Sequence, residues 1–190
     1  MKRAIILILF VLTAHSSFGQ ESKRYLKFKN KVDYREGYVI TNDSIKINGL
    51  LKDNLVNDFK SYSTINFIHQ DGTKERFGPG GLIEFGYALT RFVSDHKTIY
   101  RLIKEGKKVS LYKNLYVSTD ETQFEGTTST VVTDFYVKKY DEKTFNLVDQ
   151  WGFAKKFSYY FADCEDLSGK IASKEYKHDD IFEIVFLYNS

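Results

Sequence analysis

Gly37-Tyr38-Val39-Ile40-Thr41-Asn42-Asp43-Ser44-Ile45-Lys46-Ile47-Asn48 sets the architecture. A β-branched and aromatic run enters the Asn-Asp pair, and a strictly alternating run leaves it. Val, Ile, Thr and Tyr suit a pleated, half-buried surface, whereas Asn and Asp tolerate the backbone of a tight reversal. The stretch predicts a β-hairpin. The same pattern recurs on either side. Residues 25–29 (YLKFK) alternate loosely and predict a first edge strand. Residues 63–70 (STINFIHQ) place Ile65 and Phe67 on one face, and Asp71-Gly72 turns them into residues 73–77. Asp-Gly between alternating segments is a strong short-range hairpin signal.

Gly78-Pro79-Gly80-Gly81 interrupts the pattern, and residues 82–87 resume it. Residues 99–104 and 109–117 flank Glu105-Gly106-Lys107-Lys108 as a further hairpin. Residues 118–130 (STDETQFEGTTST) are polar and Thr-rich, which predicts a surface loop. Residues 131–139 and 145–148 form the last predicted strand pair.

The period changes near Trp151. Phe153, Phe157, Tyr160, Phe161, Cys164, Leu167 and Ile171 recur at helical spacing as one apolar stripe. Asp163 has the chemistry to cap a helix restart within it. His178-Asp179-Asp180 suits a helix start, so residues 181–188 read as helix, with a buried strand as the alternative. Strands followed by helices predict the α+β class. The expected architecture is an antiparallel β-rich sheet or partly closed barrel over residues 36–150, then two or three C-terminal helices over residues 151–190.

Residues 1–19 have the layout of a secretory signal peptide: Lys2 and Arg3, an apolar run over residues 4–14, then Ser16, Ser17 and Gly19 before a cut at Gln20. A spanning helix needs roughly 20 apolar residues, about twice this run, so cleavage is favoured over an uncleaved anchor. The only cysteine is Cys164, which excludes a lipoprotein cut. The expectation is one mature domain over residues 20–190, periplasmic or secreted, with no membrane-spanning segment after cleavage. The chain has 28 basic and 25 acidic residues, and losing Lys2 and Arg3 brings its net charge from +3 to +1. Such a balance carries no electrostatic footprint for nucleic acid. A lone cysteine forms no internal disulfide, so packing must hold the domain. Its 14 Tyr and 16 Phe against one Pro favour sheet.

Five blocks in order carry a resemblance: residues 37–45 (GYVITNDSI) with Gly49-Leu50-Leu51, residues 80–87, residues 102–112 (LIKEGKKVSLY), residues 160–167 (YFADCEDL) and residues 184–189 (IVFLYN). Together they resemble an uncharacterised family of exported bacteroidete proteins, with its GYIVTxxGDTIxGxI opening, DIxGFG block, LVEGKVSLY hairpin, YFxDCPxL segment and closing IVxxYN. Glu165-Asp166 follows Cys164 where the family often has Pro, and Ile47-Asn48 stand where one residue before Gly49 is more usual. Both departures bear on turn geometry. The resemblance implies export and architecture and brings no activity with it.

Candidate chemistry is sparse. Cys164 with His178 has the residue types of a nucleophile and base, but its place on the apolar stripe reads as core packing. Asp163, Glu165 and Asp166 with His178, Asp179 and Asp180 are oxygen-rich enough for Ca²⁺ or Mg²⁺. They lack fixed ligand spacing, and helix capping explains them. No metal or cofactor is expected. Residues 78–81 lack the Lys-Ser/Thr of a phosphate loop, and His69 and His96 have no triad partners at recognisable spacing. Tyr136, Trp151, Tyr159 and Tyr160 have the chemistry of a sugar or peptide groove. Tyr136, Trp151, Tyr159, Asp163 and His178 are accordingly the candidate binding residues. The expected function is a non-enzymatic exported module that binds an envelope protein or a glycan. The alternatives are an exported hydrolase whose site is assembled from scattered Asp, Glu and Tyr, and a structural envelope component.

Overall fold

The computed structural model describes residues 21–53, 58–122 and 126–190. The expected signal peptide, residues 1–19, lies outside them. Helix α1 (Lys23–Lys29) is followed by β1 (Tyr34–Thr41), β2 (Lys46–Lys52), β3 (Ile65–His69), β4 (Lys74–Phe77), β5 (Leu82–Tyr87), β6 (Thr90–Ser94), β7 (Ile99–Lys104), β8 (Val109–Thr122), β9 (Gly126–Lys139) and β10 (Asn146–Leu147). Helices α2 (Phe153–Tyr160), α3 (Glu165–Ala172) and α4 (Ile181–Asn189) complete the chain. The strands form one open antiparallel sheet in the order β10-β9-β8-β7-β6-β5-β1-β2-β3-β4. This is the α+β arrangement that the sequence predicts, with α2, α3 and α4 following the sheet and α1 before it.

The Asn42-Asp43 hairpin is present, pairing Gly37 with Gly49 and Val39 with Ile47. The reversal falls on Ser44, at φ 61. In the Asp-Gly hairpin the Asp71 carboxylate accepts the Thr73 amide at 2.7 Å, and Gly72 takes φ 87. Residues 181–188 belong to helix α4, not to a strand.

Two expectations change, and one strand is unannounced. Residues 25–29 are helical, because Ser22 Oγ accepts the Tyr25 amide at 3.1 Å as an N-cap. Tyr25 and Phe28, three residues apart, then dock on Leu50, Ile68 and Tyr34. Residues 118–130 are not a loop, since pairing continues from Ser118↔Thr130 to Thr122↔Gly126, with residues 123–125 outside the described chain. Threonine is β-branched, and its strand preference outweighs the polarity that suggests a loop. Strand β6 follows a tight turn at Ala88, φ 49, that no Gly, Asn or Asp announces.

Strand alternation sorts the side chains. Val39, Leu51, Phe67, Phe85, Phe92 and Ile99 share one face and form one core cluster. Further along that face, Val109, Leu111 and Val137 are buried under Phe153, Phe157, Phe161, Ile171 and Ile184 of the C-terminal helices. On the opposite face α1 covers Leu50 and Ile68. The close approach of β1 and β5 demands glycine at position 37. A Cβ on Gly37 would collide with the Gly86 carbonyl oxygen and lie 2.5 Å from Leu51 Cδ1.

Candidate functional site

The five candidate binding residues fall in separate surroundings. Tyr136 alternates with Phe135 and Val137, which face the helices, so its ring lies on the other side of the sheet. There it meets Tyr100 edge-on at 4.9 Å, and Tyr100 stacks on Phe145 at 4.0 Å. Burial, then the charge of Asp134, pushes the Tyr136 phenol up to about 12. This ring is part of a packed ladder, with Tyr112 against Phe145 at its other end.

Asp163 is not a cap, because the N-cap of α3 is Cys164. Its Oδ1 lies 2.9 Å from Lys139 Nζ on β9, and its Oδ2 accepts the Tyr188 hydroxyl of α4 at 2.5 Å. The hydrogen bond from Tyr188 and then that from Lys139 hold the Asp163 carboxyl below its ordinary value. Burial works against the charge on Lys139, but the oxygens of Tyr188 and Asp163 outweigh it, and the ammonium is held above the ordinary lysine value. That ammonium also sits 5.0 Å from the Tyr160 ring centre and 5.1 Å from that of Tyr188. Tyr160 donates to Glu142 at 2.6 Å and accepts the Lys139 amide at 3.0 Å. Burial and the Glu142 bond push its phenol up. A lysine kept charged and phenols kept protonated make a tie between sheet and helices.

Asn189 makes a second tie. Its Oδ1 accepts the amides of Lys108 and Val109 at 2.9 and 3.2 Å, and its Nδ2 donates to the Val109 carbonyl at 2.8 Å. Gly106 leaves no room for a side chain here, because a Cβ would collide with Asn189 and the Val109 carbonyl. Residues 102–112, 160–167 and 184–189, three of the blocks that carry the resemblance, therefore meet at one junction. Their visible work there is structural.

Trp151 and Tyr159 stand apart from these networks, 80% and 85% exposed. With Gly152, Lys155 and Lys156 they line a shallow hollow of about 420 Å³. Gly152 and Lys155 also line a neighbouring cavity of about 460 Å³, together with Phe153, Lys174, Tyr176, Lys177 and His178. Sharing Gly152 and Lys155, the two hollows adjoin as a groove over the start of α2. Gly152, at φ 69, is the N-cap of α2; it contributes no side-chain cap, and the first turn holds no acid. The His178 ring lies 6.4 Å from Phe153, with Nε2 3.0 Å from Asp179. Ser168 Oγ donates to the Ser158 carbonyl at 2.8 Å, joining α3 to the helix beneath the groove. Trp151, Tyr159 and His178 therefore belong to one surface, while Tyr136 and Asp163 do not. Lys155, Lys174, Tyr176 and Lys177 escape sequence reasoning because residues 150–155 and 174–178 lie far apart along the chain. Lys174, in the left-handed conformation at φ 65, closes the end of α3 and brings the second segment back.

The remaining candidates are absorbed by structure. Cys164 packs partly buried against the helical core, while the ring contacts of His178 are Asp179 and Phe153. Residues 79–81 form a 3₁₀ turn, with the Pro79 and Gly80 carbonyls accepting from Ser94 and Asn42 at 2.7 Å each. His69 pairs with Glu75 at 2.7 Å. Among the described residues, no cluster of three or more His, Cys, Asp or Glu is placed to hold a metal, and no helix is long and apolar enough to cross a membrane. Compared with known proteins, the chain matches no protein-family model, no curated protein and no solved structure.

Proposed function

We propose that the protein is exported and acts without catalysis, as a periplasmic or secreted module that binds an envelope protein or a glycan through the groove over α2. The observation that carries this reading is the exposure of Trp151 and Tyr159 beside a concave, partly apolar surface. Large amphipathic rings give contact area at low entropic cost, and exposed aromatic patches mark interaction sites. The state of the other polar networks supports it. Asp163, Lys139, Tyr188, Tyr160 and Glu142 bond to one another, leaving no poised acid or base among them. Export rests on the layout of residues 1–19.

Capture from an envelope extract tests the reading. The mature protein retains a specific partner, and the Trp151→Ala/Tyr159→Ala double variant loses it while remaining folded. Capture indifferent to both rings, or turnover on a panel of ester, glycoside and peptide substrates, contradicts it. Mass spectrometry of the secreted or periplasmic chain should find Gln20 at its N-terminus.

A further inference from the structure

We infer that the ligand of this groove is an anionic sugar chain, built of pyranose units that carry carboxylate or sulfate groups. The inference rests on the groove being the binding surface and names what it binds. Two different chemistries lie end to end in it. At one end stand the exposed rings of Trp151 and Tyr159, whose faces suit the C–H face of a pyranose. At the other, Lys155, Lys174 and Lys177 surround a hollow floored by Phe153 and Tyr176.

Among the described residues no carboxylate pairs with any of these three ammonium groups. Nearby acids are engaged otherwise. Asp179 holds His178, Asp180 accepts the Lys177 amide at 2.8 Å, Asp149 accepts the Trp151 amide at 3.0 Å, and Glu183 accepts the Tyr176 hydroxyl at 3.3 Å. Glu175 acts electrostatically on Lys170 and Tyr176. The lining of this concavity of about 460 Å³ thus carries three lysines and no carboxylate, the acids lying outside it. The uncapped first turn of α2 adds its partial positive charge in the same place.

Other anionic partners fit less well. An acidic peptide docking by strand addition needs an unpaired sheet edge, and this groove is lined by helices and their connections. A bilayer surface asks for a broad apolar helix face rimmed by cations, whereas here the cations ring a hollow. A chain of rings with regularly spaced charges meets both ends of the groove at once.

The test is a titration of the mature protein with a galacturonate decamer, followed by calorimetry and by the emission of Trp151, the only tryptophan. A sulfated dextran oligomer of similar length distinguishes sulfate from carboxylate recognition. The fully methyl-esterified decamer keeps the rings and removes the charge. Binding of either charged chain is expected to weaken about tenfold or more in Lys155→Gln/Lys174→Gln/Lys177→Gln and to fall with added salt, as screening requires. The esterified decamer is expected to bind about tenfold more weakly than the acid. The three lysines are exposed, so an unchanged melting temperature will show that the triple variant is folded. Equal binding of the ester, full binding by the triple variant, or binding of neither charged chain overturns the inference. Binding only to polyglutamate, or only to phosphatidylglycerol vesicles, also overturns it and assigns the groove to that class. If envelope capture needs Trp151 and Tyr159 while neither charged chain binds, the groove reading stands and this inference fails. If capture ignores both rings, the groove reading itself has failed.

Discussion

Around β1, β5 and β6 the sheet covers its core largely with its own aromatic side chains, whereas at β8 and β9 it is covered by three helices. In the first region Phe85 stacks on Phe92 at 4.5 Å, and Tyr62 from a short 3₁₀ turn meets Phe92 at 5.5 Å. Glycines let the strands carry this packing, with Gly37 between Gly49 and Gly86 as the tightest point. In the second region Phe153, Phe157 and Phe161 supply the cover, and polar ties through Asp163 and Asn189 fix it to the sheet. The difference explains where a binding surface can form. A self-covered sheet spends its aromatic rings inside. A helical layer has an outer side that folding does not use, and there Trp151 and Tyr159 stay in water.

The most damaging change should be Gly37→Val. The Gly86 carbonyl it strikes is backbone and has no free rotamer, so the cost should reach about 3 kcal/mol or more. Loss of a cooperative urea transition is the expected result, and near-normal stability would show that the strands approach less closely than described. Phe157→Ala follows, at about 3–5 kcal/mol for a fully buried ring. Amide exchange will sharpen the contrast. Protection should fall in α2, α3 and α4 while β1 and β5 keep theirs; equal loss at both ends would mean that the two regions open as one unit.

Asp163→Asn should have a smaller, pH-dependent effect. The folded-state carboxyl is held below its unfolded value, so its stabilisation is present above about pH 4 and is lost as pH falls through the folded value. The side chain is 60% exposed, and solvent screening limits the effect to about 1 kcal/mol or less. Denaturant midpoints of the two proteins should differ at pH 7 and draw together as the pH falls below about 4 and on through the folded value; a gap that stays constant throughout that descent would contradict the tie. The smallest effect on stability belongs to Trp151→Ala, within about 0.5 kcal/mol as for other exposed positions, although it should abolish partner capture. A large loss of stability there would make the indole part of the fold.

Much of the sheet is legible in the sequence, because its hairpins turn on Asn-Asp and Asp-Gly between alternating runs. The first helix is hidden because YLKFK satisfies a loose strand pattern, and the Ser22 cap with the docking of Tyr25 and Phe28 decides. The far half of the long hairpin is hidden by the polarity of its threonines. Trp151 and Tyr159 are legible as aromatic candidates, but the same composition offers Tyr136, which strand parity sends to the other face. The lysines around the groove are invisible in sequence, since their meaning is positional. Asp163 looks like a cap because sequence shows its neighbours along the helix and not Lys139, on a strand 24 residues away.

Photo-crosslinking in the producing cell tests the groove most directly, with benzoylphenylalanine placed at Tyr159 or at Tyr140. Both tyrosines are highly exposed, at 85% and 90%, and Tyr140 lies outside the groove, beside Gly106 and Lys107. Benzophenone captures C–H groups of protein and sugar alike, so neither class of partner escapes it. A partner adduct from position 159 and none from position 140 is the expected result. An adduct from position 140 alone would contradict a binding surface over α2.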